Sequence, residues 1–417
     1  MAQLHKRFSD EQIAFLFDAY SRGIISRDEI QDTLKIGKTR FFALWKQFKA
    51  DPDSFALTYD RSSPKRISPQ VEAAIERELL REKALIEHPE IPISTYNYSA
   101  LSDRLQKQGI TVSVNTIIDR AKKLACHQSR RSRKKAHDRE VLTASIGALI
   151  QHDGSTHLWS PYATEKWTLI TSIDDYSRML LFADFFPAET TWAHIQATRS
   201  LIETFGLPLC YYVDSLRVFR FVQGRDSFWR KHVLQTDDVD TQWRKMMRLL
   251  GIDVIFALSP EAKGKVERPY RWLQDRLVRT CALEGISELA QARTILREEL
   301  DRYNHHQVHS TTGEIPALRF AKAVTAGNTL LRPFSLPDPY TSSDDIFCLR
   351  ETRRVNPYGR ISLFNHEIRI ANVPLRQEVD VHLVPDPERN AMQVRIWWQG
   401  TMAHSVALPL DGFRVHL

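Results

Sequence analysis

The sequence predicts a chain of several domains, with all-α domains first, an α/β domain in the middle and a small β-structure at the end. Three observations support this order. Apolar residues recur at helical spacing up to residue 126, strands alternate with helices over 146–325, and short strands separated by turns fill 340–417. A length of 417 residues suits two to four domains, and 42% hydrophobic with 26% charged residues excludes wholesale disorder.

The first predicted domain, residues 1–55, has the pattern of a helix-turn-helix unit. Ser26 and Glu29 form a capping-box pair at the start of its second helix. Its first helix is expected to bury a face formed by Ile13, Phe15, Leu16 and Tyr20. The third helix is basic, and its candidate DNA contacts are Lys38, Arg40 and Lys46. A three-helix bundle with solvated lysines is the alternative.

A second helical segment, residues 62–126, is predicted to form another helix-turn-helix domain. Gly109 ends its middle helix and Ser113 is placed to cap its last. The last helix would present the residues that meet base edges and phosphates, and these candidates are Asn115, Thr116, Arg120, Lys122 and Lys123.

A basic linker is predicted over residues 127–145. Residues 1–139 hold 26 basic and 18 acidic side chains, whereas the rest of the chain holds 32 and 33, so the whole excess of +7 comes from the N-terminal third. That asymmetry is typical of a chain that grips a polyanion at one end. The linker candidates for phosphate contact are Arg130, Arg131, Arg133, Lys134 and Lys135.

Residues 146–325 are predicted to form a mixed sheet of five strands covered by helices. Asp153 follows the first apolar strand, Asp214 follows the fourth, and Glu267 lies at the edge of the apolar stripe of a long helix. Three converging carboxylates suit a pair of Mg²⁺ or Mn²⁺ ions, which clamp the oxygens of a phosphoryl displacement. Other acidic residues of this segment compete for that role, namely Asp174, Asp175, Asp184, Asp237, Asp238 and Asp240.

Longer motifs give these carboxylates a family context. HDGS with Trp159 soon after, LITSIDDYSRMLL, YYVDS and SPEAKGKVERPYRWLQDRL resemble the motifs of bacterial insertion-sequence transposases of the DDE class. The resemblance implies an RNase H-like catalytic core of the retroviral-integrase type followed by a small C-terminal β-barrel. It also implies that Asp153, Asp214 and Glu267 are the catalytic, metal-binding residues.

Two features depart from the family pattern. Asp214 is followed by Ser215, Leu216 and Arg217 where Asp-Asn-Gly is common, and 53 residues separate Asp214 from Glu267. The extra length falls in RDSFWRKHVLQTDDV, so Asp237 or Asp238 is an alternative carboxylate if this insertion folds over the site. Near Glu267, the expected contacts to the cut DNA end are Lys263, Lys265, Arg268 and Arg271; intrahelical ion pairing is the alternative for Lys263 and Arg271.

The resemblance implies an enzyme that binds the terminal repeats of a mobile element, cuts DNA at 3′ ends and joins them to target DNA, using two Mg²⁺ or Mn²⁺ ions. Expected partners are the double-stranded end and target DNA and further copies of the chain assembled on DNA; a helper ATPase is compatible with the sequence but not indicated by it. Two alternatives are a DNA-binding regulator with an inactive core and a serine or tyrosine recombinase, for which no matching nucleophile is found.

The sequence also bears on location and redox state. The N terminus lacks a secretory apolar stretch and no apolar run is long enough to span a bilayer, so a cytoplasmic, nucleoid-associated protein without a membrane partner is expected. Four scattered cysteines without a CxxC pair argue against a zinc finger or a disulfide framework.

Overall fold

A computed structural model describes residues 4, 7–57, 67–89, 91–128, 143–214, 241–256, 264–364 and 366–413. Over 264–269 and at 271 it describes the backbone but not the side chains. The chain divides into two compact units, residues 1–73 and 74–417. In the described part of the chain, no helix has the length and apolar character needed to cross a membrane.

The first unit contains the three predicted helices, α1 (Asp10–Ser21), α2 (Arg27–Leu34) and α3 (Lys38–Ala50). The Ser26 side chain accepts from the Glu29 backbone while the Glu29 side chain accepts from the Ser26 backbone, so the predicted capping box is confirmed. Phe15 was expected in the core but is 72% exposed. At 100° per residue, Phe17 shares the face of Ile13 four residues earlier, and Phe15 lies on the opposite side.

Three further helices precede the sheet, α4 (Pro69–Glu87), α5 (Tyr98–Lys107) and α6 (Val114–Lys123). Ser113 caps α6 as predicted, and the side chain of Asn97 caps α5. Leu85, at the end of α4, and Ile91 and Ile93 after it pack into the same hydrophobic core as the sheet. The end of α4 and the segment that follows it therefore share the core of the second unit.

The predicted mixed five-stranded sheet is confirmed. Its strands lie in the order β3-β2-β1-β4-β5. β2 runs antiparallel to its neighbours β1 and β3, whereas β4 and β5 run parallel to β1. The strands are β1 (Ile150–His157), β2 (Trp167–Asp174), β3 (Leu180–Phe186), β4 (Cys210–Val213) and β5 (Asp253–Phe256). β1 is longer than expected, so Asp153 lies inside it and not after it, because pairing with β2 continues to His157 opposite Trp167.

Helices cover both faces of this sheet and form two separate cores. One core joins β2 and β3 to α9 (Gly264–Glu284) and α10 (Leu289–His305), and includes Trp159, Phe185 and Leu273. The other joins β1 and β4 to α7 (Thr191–Phe205) and α8 (Gln242–Leu249), and includes Trp243. α11 (Pro316–Thr325) follows α10.

The C-terminal region is all β, as predicted. Its strands are β6 (Leu349–Arg354), β7 (Arg360–Leu363), β8 (His366–Arg369), β9 (Glu378–Asp386), β10 (Ala391–Trp398) and β11 (Thr401–Pro409). Four of them form an antiparallel sheet in the order β11-β10-β9-β6, and β7 pairs with β8 in a ribbon. Over the described residues these pairings leave β6 and β11 as edges, so the expected closed barrel is not seen.

A buried carboxylate, that of Asp345, ties this C-terminal sheet to the segment before it. It accepts hydrogen bonds from the His382 ring at 3.2 Å and from the Trp397 indole at 2.9 Å, and it pairs with Arg395 at 2.8 Å. Arg350 lies 2.7 Å from the other ring nitrogen of His382. Strands β6, β9 and β10 are thereby fixed around one fully buried charge.

Candidate active site

The register of the parallel strands places Asp153 and Asp214 side by side. Ile150 of β1 is level with Tyr211 of β4, and Gln151 is level with Tyr212. Two residues further along each strand, this register brings Asp153 level with Asp214, which directly follows β4. Neighbouring strands lie about 4.8 Å apart, and level residues of parallel strands point to the same face. The two carboxylates therefore share one face at one end of the β1–β4 pair.

Helix α9 crosses β1 at this same point. The buried Tyr270 hydroxyl donates a hydrogen bond to the backbone carbonyl of Asp153. Burial and, after it, the negative charge of Asp153 raise the pKa of Tyr270 well above its usual value, so the hydroxyl remains a donor. Glu267 lies three residues before Tyr270, one turn along the same helical face. The backbone of α9 is thus held against the strand that carries Asp153.

The side chain of Glu267 lies outside the part of the structure that is described. Among the described residues, no group of three or more histidine, cysteine or carboxylate side chains is placed to hold a metal ion. Of the three predicted metal-binding carboxylates, Asp153 is 8% exposed and Asp214 is half-buried, and Glu267 is the third. Carboxylate oxygens are the donors preferred by Mg²⁺.

A hydrogen-bonded chain runs beneath the opposite face of β1. His152 Nδ1 lies 2.8 Å from the Ser172 hydroxyl and His152 Nε2 lies 2.9 Å from His194 Nδ1 of α7. His194 Nε2 in turn lies 3.3 Å from the Glu189 carboxylate. Burial, and next to it the charge of His194, lowers the pKa of His152 well below its usual value, so this ring is neutral near pH 7. His152 is therefore a core histidine that fixes the strand next to Asp153.

Gly154 allows the Glu189 carboxylate to approach β1. A Cβ at position 154 would lie 2.6 Å from Glu189 Oε1 and 3.5 Å from His194 Cε1. A side chain here would force Glu189 to move away from the strand and from His194. The glycine in the HDGS motif thus provides room behind the carboxylate-bearing face.

The competing carboxylates that the structure describes have other partners. Asp174, fully buried, accepts from the Gly147 amide at 2.9 Å and from the Ser177 amide and hydroxyl at 2.8 and 2.6 Å. Asp175 pairs with Arg178 at 3.0 Å, and Asp184 pairs with Arg293 at 3.1 Å. These contacts serve the β2–β3 turn and the packing of α10. Asp237, Asp238 and Asp240 lie outside the described residues.

The predicted DNA-binding side chains lie on two surface helices. On α3, Lys38, Arg40 and Lys46 are all exposed. On α6, Asn115, Lys122 and Lys123 are exposed while Thr116 and Arg120 are half-buried. The Thr116 hydroxyl contacts the capping hydroxyl of Ser113 at 2.8 Å, and Lys122 pairs with Asp119 at 3.7 Å.

Other predicted contacts cannot be placed. Lys265, Arg268 and Arg271 lie on α9, where the structure describes the backbone alone at these positions. The remaining candidates lie outside the described residues: Arg130, Arg131, Arg133, Lys134, Lys135 and Lys263.

Sequence reasoning missed three supporting residues of this site. Tyr270 belongs to the apolar stripe of the long helix, and a buried tyrosine hydroxyl needs a hydrogen-bond acceptor, which here is the backbone carbonyl of Asp153. Glu189 and His194 had no local signal, because their partners lie 35 and 42 residues away at Gly154 and His152. The glycine directly after Asp153 was the one available hint of close packing.

Sequence comparison relates the chain to transposases. The protein y4bF of Sinorhizobium fredii, provisionally named a transposase, is 30% identical over 248 residues, which are 59% of this chain and 49% of that protein. The transposase for insertion sequence IS1202 of Streptococcus pneumoniae is 31% identical over 171 residues, 41% of this chain and 35% of that protein. The chain thus spans half or less of these relatives. The predicted likeness to insertion-sequence transposases is confirmed.

Further comparisons add little to this relationship. No protein-family model matches the chain. The catalytic core domain of BIV integrase has a TM-score of 0.31 at 17% identity and covers 43% of this chain and 98% of its own. The HTLV-2 integrase catalytic core in complex with magnesium also has a TM-score of 0.31, at 18% identity, covering 44% of this chain and 99% of its own. Neither likeness is close enough to assign a function.

Proposed function

We propose that this chain, a relative of insertion-sequence transposases, is a DNA transposase of the DDE class. It binds the terminal repeats of a mobile element, cleaves DNA at the 3′ ends and transfers these ends to target DNA. One observation carries the proposal. Asp153 on β1 is level with Asp214, which directly follows the parallel strand β4, and the Tyr270 hydroxyl of the Glu267-bearing helix donates to the carbonyl of Asp153.

The donor set fits divalent cations. Asp153, Asp214 and Glu267 would hold two Mg²⁺ or Mn²⁺ ions, because they offer hard oxygen ligands and no sulfur or imidazole. When bound, such ions lower the pKa of the attacking hydroxyl or water and neutralise the charge that develops on the phosphate. The β1–β4 register and the Tyr270 hydrogen bond support this set, because they hold the backbone of β1, β4 and α9, from which the three side chains would extend.

The protein groups bind and orient DNA and form no covalent bond with it. Water attacks the phosphodiester in the cleavage step, and the freed 3′-OH attacks target DNA in the transfer step. Lys263, Lys265, Arg268 and Arg271, near Glu267 in sequence, contact phosphates of the cut end. Cations of α3, α6 and the 127–145 linker bind the terminal repeat, which makes affinity fall steeply with salt. Several copies assemble on DNA, since the cutting and joining of two element ends must be coordinated.

A strand-transfer assay with labelled end DNA and Mg²⁺ tests the catalytic assignment. Asp153→Asn and Glu267→Gln should each lower cleavage and joining at least 10³-fold, since each removes a charged ligand. Asp184→Asn is the matched control, because it removes a carboxylate of the same sheet that pairs with Arg293 instead. Full joining by Asp153→Asn or Glu267→Gln would overturn these roles.

The second candidate function is a DNA-binding regulator with an inactive core. The Ser215-Leu216-Arg217 segment after Asp214 favours it, since it departs from the common family pattern. Titration calorimetry with Mn²⁺ separates the two candidates. An active core takes up Mn²⁺, and uptake falls in Asp153→Asn and at acid pH. A regulator shows no such uptake while still binding end DNA.

A further inference from the structure

We propose that Glu82, Asn97 and Asp103 are positioning residues that fix the α5–α6 helix pair to α9, so that the distance from the DNA read by α6 to the phosphate cut is constant. This inference rests on the proposed function, because it assumes that α6 binds DNA and that Glu267 of α9 acts in cleavage. The first part, a fixed attachment, follows from contacts between residues distant in sequence.

Glu82 of α4 is the centre of the attachment. It is fully buried, and it accepts from the fully buried guanidinium of Arg279 on α9. Glu82 Oε2 accepts from Arg104 of α5 at 2.8 Å. Glu82 Oε1, which accepts from Arg279, also accepts from the backbone N–H of Asn97 at 3.3 Å. One buried carboxylate thereby joins three helices, and removing it would take one charge-assisted hydrogen bond from each of two arginines.

Asn97 links the start of α5 directly to α9. Its side-chain oxygen accepts from the Ala100 amide and so caps α5. Its side-chain nitrogen donates to Asp275 of α9. Asp275 also accepts from Arg279 at 2.7 Å, which in turn donates to the Thr95 carbonyl at 2.7 Å. The residue that caps α5 is therefore also hydrogen-bonded to α9.

Asp103 provides a second attachment six residues after Asn97, about 1.7 turns further along α5. Its Oδ2 lies 2.5 Å from Arg276 of α9 and 2.6 Å from Arg302 of α10. Arg276 also donates to Glu299 at 2.7 Å and is 4% exposed. Two attachment points on one helix fix both its position and its direction.

Helix α6 follows α5. Ile117 and Ala121 of α6 are fully buried, and α5 contributes Leu101 and Leu105 to the same interior. Ser102 of α5 donates to the Val112 carbonyl at 3.2 Å, next to the start of α6. Because α6 is held on α5 and α5 is held on α9, the reading helix and the catalytic helix belong to one body.

The test measures the attachment and the cut site together in the full chain. Spin labels at Asp119→Cys on α6 and Glu203→Cys on α7 report the helix-to-core distance, since the four native cysteines are buried. In parallel, labelled end DNA with Mg²⁺ gives the cut position at single-nucleotide resolution. The unaltered attachment should give one narrow distance and one cut phosphate.

Asp103→Arg breaks the attachment by placing a cation against Arg276 and Arg302. We expect the distance distribution to widen at least twofold and cuts to spread over several phosphates, while affinity for end DNA changes less than twofold. Asp103→Glu restores both readouts. Lys107→Ala is the matched control, since its pair with Glu298 is exposed, and it should change neither.

A locking variant covers the case in which Asp103→Arg fails to fold. Lys107→Cys with Glu298→Cys, joined by a short bismaleimide, ties α5 to α10 at an exposed pair. A fixed attachment predicts the same cleavage rate and cut site before and after joining. Loss of cleavage on joining would overturn the inference, because it would mean that the helices must separate.

The remaining outcomes separate the inference from the proposed function. A broad distance in the unaltered attachment, or a single unchanged cut in a folded Asp103→Arg, overturns the inference and leaves the proposed function standing. No cleavage by the parent chain in Mg²⁺ or Mn²⁺ overturns the proposed function and with it the constant cut distance. The distance distribution then decides the attachment alone.

Discussion

The two N-terminal helical segments look alike in sequence but are stabilised in different ways. In the first unit, Phe17 packs against Phe41, Trp45, Phe48 and Phe55, with ring centroids 5.7–6.0 Å apart. This unit has an aromatic core of its own. In the second segment, α4 and α5 bury the carboxylate of Glu82 against Arg279 of α9 instead.

The difference shows what decides whether a helical segment forms a compact unit around a core of its own. Helix pattern and caps report on single helices, and both segments have them. Independence depends on where the remaining buried groups find partners. The first unit has an aromatic core within residues 1–73. The buried carboxylate of Glu82 on α4, in contrast, pairs with Arg104 of α5 and also with Arg279, 197 residues away on α9.

The largest effect on stability is expected from Glu82→Ala. Arg279 and Arg104 lose their shared buried carboxylate and keep Asp275 and Glu78 as partners, so two charge-assisted hydrogen bonds disappear. Their loss should lower the free energy of unfolding of the second unit by about 3–5 kcal/mol. Denaturant unfolding followed by segment-resolved hydrogen exchange measures this. Arg27→Ala, which removes an exposed pair with Asp28 in the first unit, should change stability little. An equal small effect of both variants would contradict the distinction between the two segments.

The next effect tests the independence of the first unit. Phe17→Ala removes the ring at the centre of its core and should destabilise residues 1–73 by about 3–4 kcal/mol. Exchange of α1–α3 amides should become faster while protection of β1 and α9 stays unchanged. Phe17→Leu, which keeps most of the volume, should cost less. Loss of protection in β1 would show that the two units unfold together.

The neighbouring positions of Asp153 and Asp214 could be predicted from the sequence, whereas the contacts that hold the surrounding elements together could not. Strand-end patterns brought Asp153 and Asp214 into one hypothesis, and the strand register agrees with that neighbourhood even though β1 runs on past Asp153. Capping boxes were readable because their residues lie three positions apart. The Glu82–Arg279 pair, 197 residues apart, has no local pattern, and neither does the approach of Glu189 to Gly154.

The smallest expected effect concerns pH. Burial, supported by the charge of Arg350 and opposed by the hydrogen bond to Asp345, lowers the pKa of His382. The Arg350 guanidinium donates to one ring nitrogen, so a proton cannot be added there without repulsion. In the unfolded chain His382 binds a proton near pH 6.5, whereas in the folded chain it binds one only at lower pH. The free energy of unfolding therefore falls as pH drops below about 6.5.

The pH dependence due to His382 should be small and confined to the second unit. One such group changes unfolding free energy by at most about 1.4 kcal/mol per pH unit. We expect the second unit to lose stability between pH 7.5 and 5.5, and His382→Gln to flatten part of that slope. The first unit is the internal control, because His5 is the one histidine in residues 1–73. The same slope in His382→Gln would contradict this account.

The side-chain amide of Asn97 forms hydrogen bonds with two helices, and these bonds affect the thermal motion of α5. Helix ends ordinarily fray, because their first amides have few partners. Here the residue that caps α5 also donates to Asp275, so fraying of the first turn of α5 also breaks a hydrogen bond to α9. A local fluctuation that most helices undergo freely becomes, in this chain, an opening of the contact between α5 and α9.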